Sequence, residues 1–110
     1  MSKGEFLGEF EHLVLLAVLR LGEEAYGMRI RQAIEERTGR RVVIGAVYAT
    51  LERIVSKGYA STWLADPTPE RGGRAKRFFK VEPRGVAALM RSEKALQRMR
   101  QGIRIARSTA

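Results

Sequence analysis

The stretch "ERGGRAKRFFKV", Glu70 to Val81, sets four cations around a Gly-Gly pair and then runs into two phenylalanines and a valine. Its second half, "AKRFFKV", alternates, with Phe79 and Val81 on one side, which is the period of a strand with one buried face. Upstream, "YASTWLAD" (Tyr59 to Asp66) reads as a partner strand, and the two prolines and two glycines of "PTPERGGR" are turn chemistry. The expectation is a β-hairpin with a long cationic tip, in which Phe79 and Val81 anchor the second strand in the core.

Three helical patterns precede the hairpin. Nearest to it, from about Gly45 to Lys57, Val47, Leu51, Ile54 and Val55 recur at i, i+4, i+7 and i+8. The other face of this helix offers Ala46, Tyr48, Ala49, Thr50, Arg53 and Lys57, and Gly58 supplies the left-handed stop. Before it, a helix from about Ala25 to Thr38 gathers Tyr26, Ile30, Ala33 and Ile34 on one face and ends at Gly39. The first helix, Phe6 to Leu21, is apolar on more than one face, with Phe6, Phe10, Leu13, Ala17 and Leu21 at helical spacing and Leu7, Val14, Leu15 and Val18 widening the stripe. The surplus predicts that one face meets its own domain and another, including Phe6, Phe10 and Leu13, meets a partner chain.

After the hairpin, Pro83 with Glu82 before it suits the start of a last helix, read to about Arg107. Leu89, Ser92, Leu96, Met99, Ile103 and Ala106 fall at alternating steps of three and four, a short heptad seam, so Leu89, Leu96, Met99 and Ile103 are expected at a dimer interface. Its many arginines are read as a solvated face suited to the helix dipole rather than as a membrane surface.

Charge sharpens the reading. The 110 residues carry a net charge of +9. Residues 1–39 hold five Lys/Arg against seven Asp/Glu, whereas residues 40–110 hold sixteen against five. So lopsided a field concentrates anions on one side, and nucleic acid is the commonest anionic partner of such a chain. The size is that of one small domain. No cysteine is present, so there is no disulfide framework or thiolate zinc site. The longest apolar run, Leu13 to Leu19, falls well short of a membrane span of roughly 18 residues, and no leader pattern opens the chain. A soluble cytoplasmic protein without cofactor or metal is expected. His12 has no second histidine to join it and is read as a surface residue beside Glu9 and Glu11. No carboxylate pair, nucleophile motif or phosphate-binding glycine loop supports an enzyme.

Helix, helix, helix, hairpin with a basic tip is the order of a winged helix-turn-helix. The fold expected is mainly α with a small β-hairpin, with a DNA-binding domain at 1–82 that includes an N-terminal helix at 5–21, followed by a dimerisation helix within 83–110. In such a fold the third helix enters the major groove and the wing lies along the phosphates. Tyr48, with Ala46 and Thr50, would face DNA. Arg53, Lys57, Arg40 and Arg41 would meet phosphate, and Arg71, Arg74, Lys76 and Arg77 would supply wing charge, with Gly72 and Gly73 allowing close backbone approach.

At these residues the chain resembles the PadR family of bacterial transcriptional regulators. The resemblance spans residues 10–90 and rests on "AYGMRI", "GAVYATLERIVSKGY" and "GGRAKRFFKVEPRG" in that order. It implies a homodimeric winged-helix repressor whose C-terminal helix crosses onto the other subunit, operators with inverted repeats, and often a small aromatic or drug-like effector. By motif, Tyr48 carries over as the recognition-helix tyrosine, and Arg74, Lys76 and Arg77 as wing positions. The chain departs from the pattern at Phe79 and Glu82, where tyrosine and threonine are usual, at Ala49, where proline is common, and at Ala46, where a hydroxyl residue often stands. Trp63, the only tryptophan, is read chiefly as packing, with stacking on an aromatic effector as the functional alternative. A basic module that binds RNA, or a protein-interaction domain, remains open beside the DNA reading.

Overall fold

The computed structural model describes residues 6–65 and 75–105. The chain forms α1 (Glu9–Leu21), a 3-10 turn (Gly22–Glu24), α2 (Gly27–Thr38), α3 (Ile44–Ser56), β1 (Ala60–Leu64), β2 (Arg77–Val81) and α4 (Pro83–Arg100). It is mainly helical with one two-stranded antiparallel hairpin, and the helix boundaries differ from the periodicity by a residue or two except at α1 and α4.

α1 starts at Glu9, three residues later than its apolar pattern. Gly8 is its N-cap, and the Gly8 N–H donates to a carboxylate oxygen of Glu11 at 3.2 Å, which closes the first turn there and leaves Phe6 outside the helix and exposed. Val14, Leu15, Ala17 and Val18 face the core, while Leu16 and Leu19 stand out on the second apolar face. α2 adds Ile30, Ala33 and Ile34 to the same core, and α3 adds Val47, Leu51 and Ile54. Each such aliphatic side chain contributes about 1.5–3 kcal/mol by leaving water.

The hairpin runs in register Ala60↔Val81 to Leu64↔Arg77. Phe79 and Val81 point inward, as the alternation predicts. β2 also bonds on its other side: the Phe79 N–H donates to the Ala25 carbonyl at 2.9 Å, and Tyr26 bridges Phe78. The segment before α2 therefore fixes the wing against the helix-turn-helix, a link that helical periodicity alone does not reveal. The turn expected at 67–74, and with it Arg71, Gly72, Gly73 and Arg74, lies outside the described residues.

α4 ends at Arg100, not near Arg107. Gln101 leaves helical geometry and Gly102 takes φ +79°, a value open to glycine and costly for other residues, so the pattern is cut although Ile103 continues its spacing. Gly85, Ala88, Leu89 and Ser92 form the stripe that α4 buries. Leu89 is thus a residue of the chain's own core rather than a free interface residue, which corrects the seam's assignment at that position. Beyond Ser92 the same stripe passes the edge of the core, and Leu96, Met99 and Ile103 stand exposed. A Cβ on Gly85 would overlap the Tyr59 carbonyl oxygen, so only glycine lets α4 lie this close to the start of the hairpin.

Candidate nucleic-acid interface

The exposed side of α3 and the base of the wing enclose one cleft of about 550 Å³, lined by Tyr26, Met28, Tyr48, Leu64, Ala75, Lys76 and Arg77. Tyr48 is 44% exposed. The phenol end of its ring lies over Gly27 at the start of α2, where a Cβ would collide with it, so the missing side chain is the seat for the tyrosine. Lys76 places its ammonium 4.3 Å from the centre of the Tyr26 ring. Tyr26 in turn meets Phe78 edge-on at 5.5 Å, and Phe78 stacks on Trp63 at 6.2 Å. Arg77 reaches back to α3: one guanidinium nitrogen donates to a Glu52 carboxylate oxygen at 3.2 Å and another to the Thr62 hydroxyl at 3.0 Å.

Of the residues that sequence reasoning put at this face, Ala46, Tyr48 and Arg77 are exposed and Lys76 is half-buried. Thr50 is not at the face. It is 2% exposed because it lies three residues after Val47 and four before Ile54, which turns it to the core, and its hydroxyl accepts from Arg53 at 3.2 Å. Arg53 and Lys57 are exposed but paired within the chain. Lys57 Nζ lies 3.0 Å and Arg53 Nε 3.5 Å from the same Glu11 oxygen. Arg40 pairs with Glu9 at 3.0 Å, while Arg41 is exposed.

Glu11 was not legible as a functional residue. Its side chain is only 9% exposed. Burial pushes its carboxyl pKa up, but the Lys57 ammonium, the Gly8 N–H and Arg53 together outweigh that and hold it below the ordinary value. The start of α1 and the residue before its N-cap also touch α4: the Leu7 N–H donates to the Ser92 hydroxyl at 3.0 Å, and His12 Nε2 lies 3.1 Å from a Glu93 oxygen. His12 is therefore largely enclosed between α1 and α4 rather than a surface residue. Trp63, 48% exposed, is packed on one face by Phe78 and borders a groove of about 530 Å³ with Val18, Leu19 and Phe79.

Among the described residues, no three His, Cys, Asp or Glu side chains gather as a metal site requires, and no helix is long and apolar enough to cross a membrane. Three helices with the hairpin folded back beside the third define a winged-helix fold. Similar solved structures share this fold: a transcriptional regulator from Thermoplasma acidophilum (18% identity, 86% of this chain and 90% of that one, TM-score 0.67) and a PadR-like transcription factor from Bacteroides fragilis (22%, 84% and 84%, 0.68). A PadR family regulator from Clostridium difficile is similar at 16% identity, covering 84% of this chain and 92% of that one, with a TM-score of 0.67. No curated protein is significantly similar in sequence. Residues 15–91 match the transcriptional regulator PadR-like family, and the chain belongs to that family. It is accordingly a DNA-binding transcriptional regulator.

Proposed function

We propose that the protein is a homodimeric repressor that binds inverted-repeat operators, with α3 in the major groove and the hairpin along the backbone. The observation that carries this reading is that Tyr48 and the wing cations Lys76 and Arg77 line a single cleft. Arg71, Arg74, Gly72 and Gly73 would extend the contact along the phosphates, and Arg41 would add to it before α3. Dimerisation is supported by the apolar row Leu96, Met99 and Ile103 and by a groove of about 650 Å³ between α1 and α4 that includes Phe6, Leu13 and Leu96. A second copy's α4 is the natural occupant, and a two-fold protein suits a two-fold operator. Repression, and response to a small aromatic effector near Trp63, follow from the family resemblance.

The test is fluorescence anisotropy of a labelled duplex from upstream of the gene against a shuffled duplex, at about physiological salt. The expected affinity ratio is at least ~10³, abolished by Tyr48→Ala. Leu96→Asp combined with Met99→Asp should sediment as a monomer and lose that ratio. Equal weak binding of wild type to both duplexes would overturn the operator reading.

A further inference from the structure

We infer that α3 recognises the 5-methyl groups of thymines, so that each operator half-site presents A·T pairs beneath the first two turns of the helix. The inference deepens the DNA-binding reading and rests on it. Its basis is what the exposed surface of this half-helix lacks. The positions it turns outward are Gly45, Ala46, Tyr48 and Ala49, with Val43 just before them at 73% exposed. None carries a guanidinium, an ammonium or a carboxamide. Hydrogen-bonded reading of a base edge in the major groove depends on those groups: Arg or Lys on guanine, Asn or Gln on adenine.

The helix and its C-cap do carry two cations, Arg53 and Lys57, but both are at the other end and both pair with the Glu11 carboxylate. Its one outward carboxylate, Glu52, which could accept from cytosine N4, is turned to Arg77 of the wing. What α3 can offer to a base pair is a small apolar surface and one phenol whose hydroxyl end is seated over Gly27. The major groove displays one apolar group, the thymine methyl. Gly45, Ala46 and Ala49 are short enough to let the helix backbone come within van der Waals reach of such methyls, and Met28, 51% exposed at the edge of the cleft, widens the apolar surface.

The experiment uses the full chain and a random-sequence duplex library. Duplexes enriched by binding are resynthesised with deoxyuridine replacing thymidine one position at a time, which removes a methyl and keeps every hydrogen-bonding group. Enrichment of thymine at two or more positions of each half-site is expected, and each replacement there should weaken binding about four-fold, the effect of one buried methyl. Enriched duplexes that bind equally well in their uracil form would overturn the inference while leaving operator binding intact. A library from which nothing is enriched, although all members bind weakly, would overturn both. Because only the DNA is altered, misfolding of a variant cannot produce either result.

Discussion

The two ends of α3 are held in place by opposite means. At the C-terminal end the tie is charge: Lys57 and Arg53 converge on one carboxylate of α1, which is itself buried and bound to the Gly8 N–H. At the N-terminal end the tie is shape: the Tyr48 ring lies over a glycine of α2, and no ion pair is involved. A charged tie fixes a helix strongly but uses up the cations that form it. A steric seat fixes one ring and leaves the surrounding surface neutral and open. α3 is thus held by charge at one end and left open at the other, and if the open end reads the operator as proposed, substitutions at the two ends should separate stability from selectivity.

The largest effect is expected at the charged end. Glu11→Ala leaves two cations facing each other and the Gly8 N–H without its acceptor, which should cost about 2 kcal/mol, or roughly 10 °C in Tm for a chain of this size. The figure is well below that for a fully buried pair because Arg53 and Lys57 are partly in water. Thermal unfolding checks it, and a shift under about 2 °C would mean that the tie contributes nothing. The pH dependence must have a matching sign. The folded carboxyl titrates below the ordinary value of 4.5, so its stabilisation is complete above that value and is lost as pH falls through the folded pKa. Wild type should therefore lose more stability than Glu11→Gln on acidification from about pH 6 to below 4.5. Parallel curves would assign the interaction no charge.

The two ties were unequally legible in the sequence, for a physical reason. Periodicity reports which face of an element is buried, and it placed α3 and β2 within about two residues because Val47, Leu51, Ile54, Phe79 and Val81 are core residues at regular spacing. It says little about contacts made far along the chain. Glu11 meets partners 42 and 46 positions away, and Gly27 is separated from Tyr48 by a whole helix and turn, so neither leaves a local signature. Thr50 was misplaced because a polar residue was assumed to face out, although its spacing from Val47 and Ile54 turns it in, where its hydroxyl accepts a hydrogen bond from Arg53. Gly102 carried a readable stop signal that the continued spacing of Ile103 masked.

At the neutral end the informative change is Gly27→Ala. The added methyl meets the far end of a half-exposed ring, which can swing aside, and alanine is favoured over glycine in a helix by up to about 1 kcal/mol. Stability should stay within about 3 °C of wild type by thermal unfolding. With α3 docked as proposed, affinity for a selected operator should fall about ten-fold, because a displaced Tyr48 ring alters the surface that meets the base pairs, while binding to a shuffled duplex stays the same. Equal losses on both duplexes would place Tyr48 on the backbone, and a large drop in Tm would make the seat structural rather than functional.

The smallest effect is expected between the two ends, at Glu52. Its pair with Arg77 is exposed on both sides and should contribute within about 0.5 kcal/mol of nothing to folding. Its weight is electrostatic: an anion on the outward side of α3 repels phosphate and occupies a wing cation. Glu52→Gln should raise affinity for any duplex about two- to three-fold, and it should steepen the log–log salt dependence by about one unit as Arg77 becomes free to meet a phosphate. The operator-to-shuffled ratio should not move, since a charge released onto the backbone carries no sequence information. A fall in that ratio would instead make Glu52 a reader of cytosine, and α3 would then read hydrogen bonds past its apolar half.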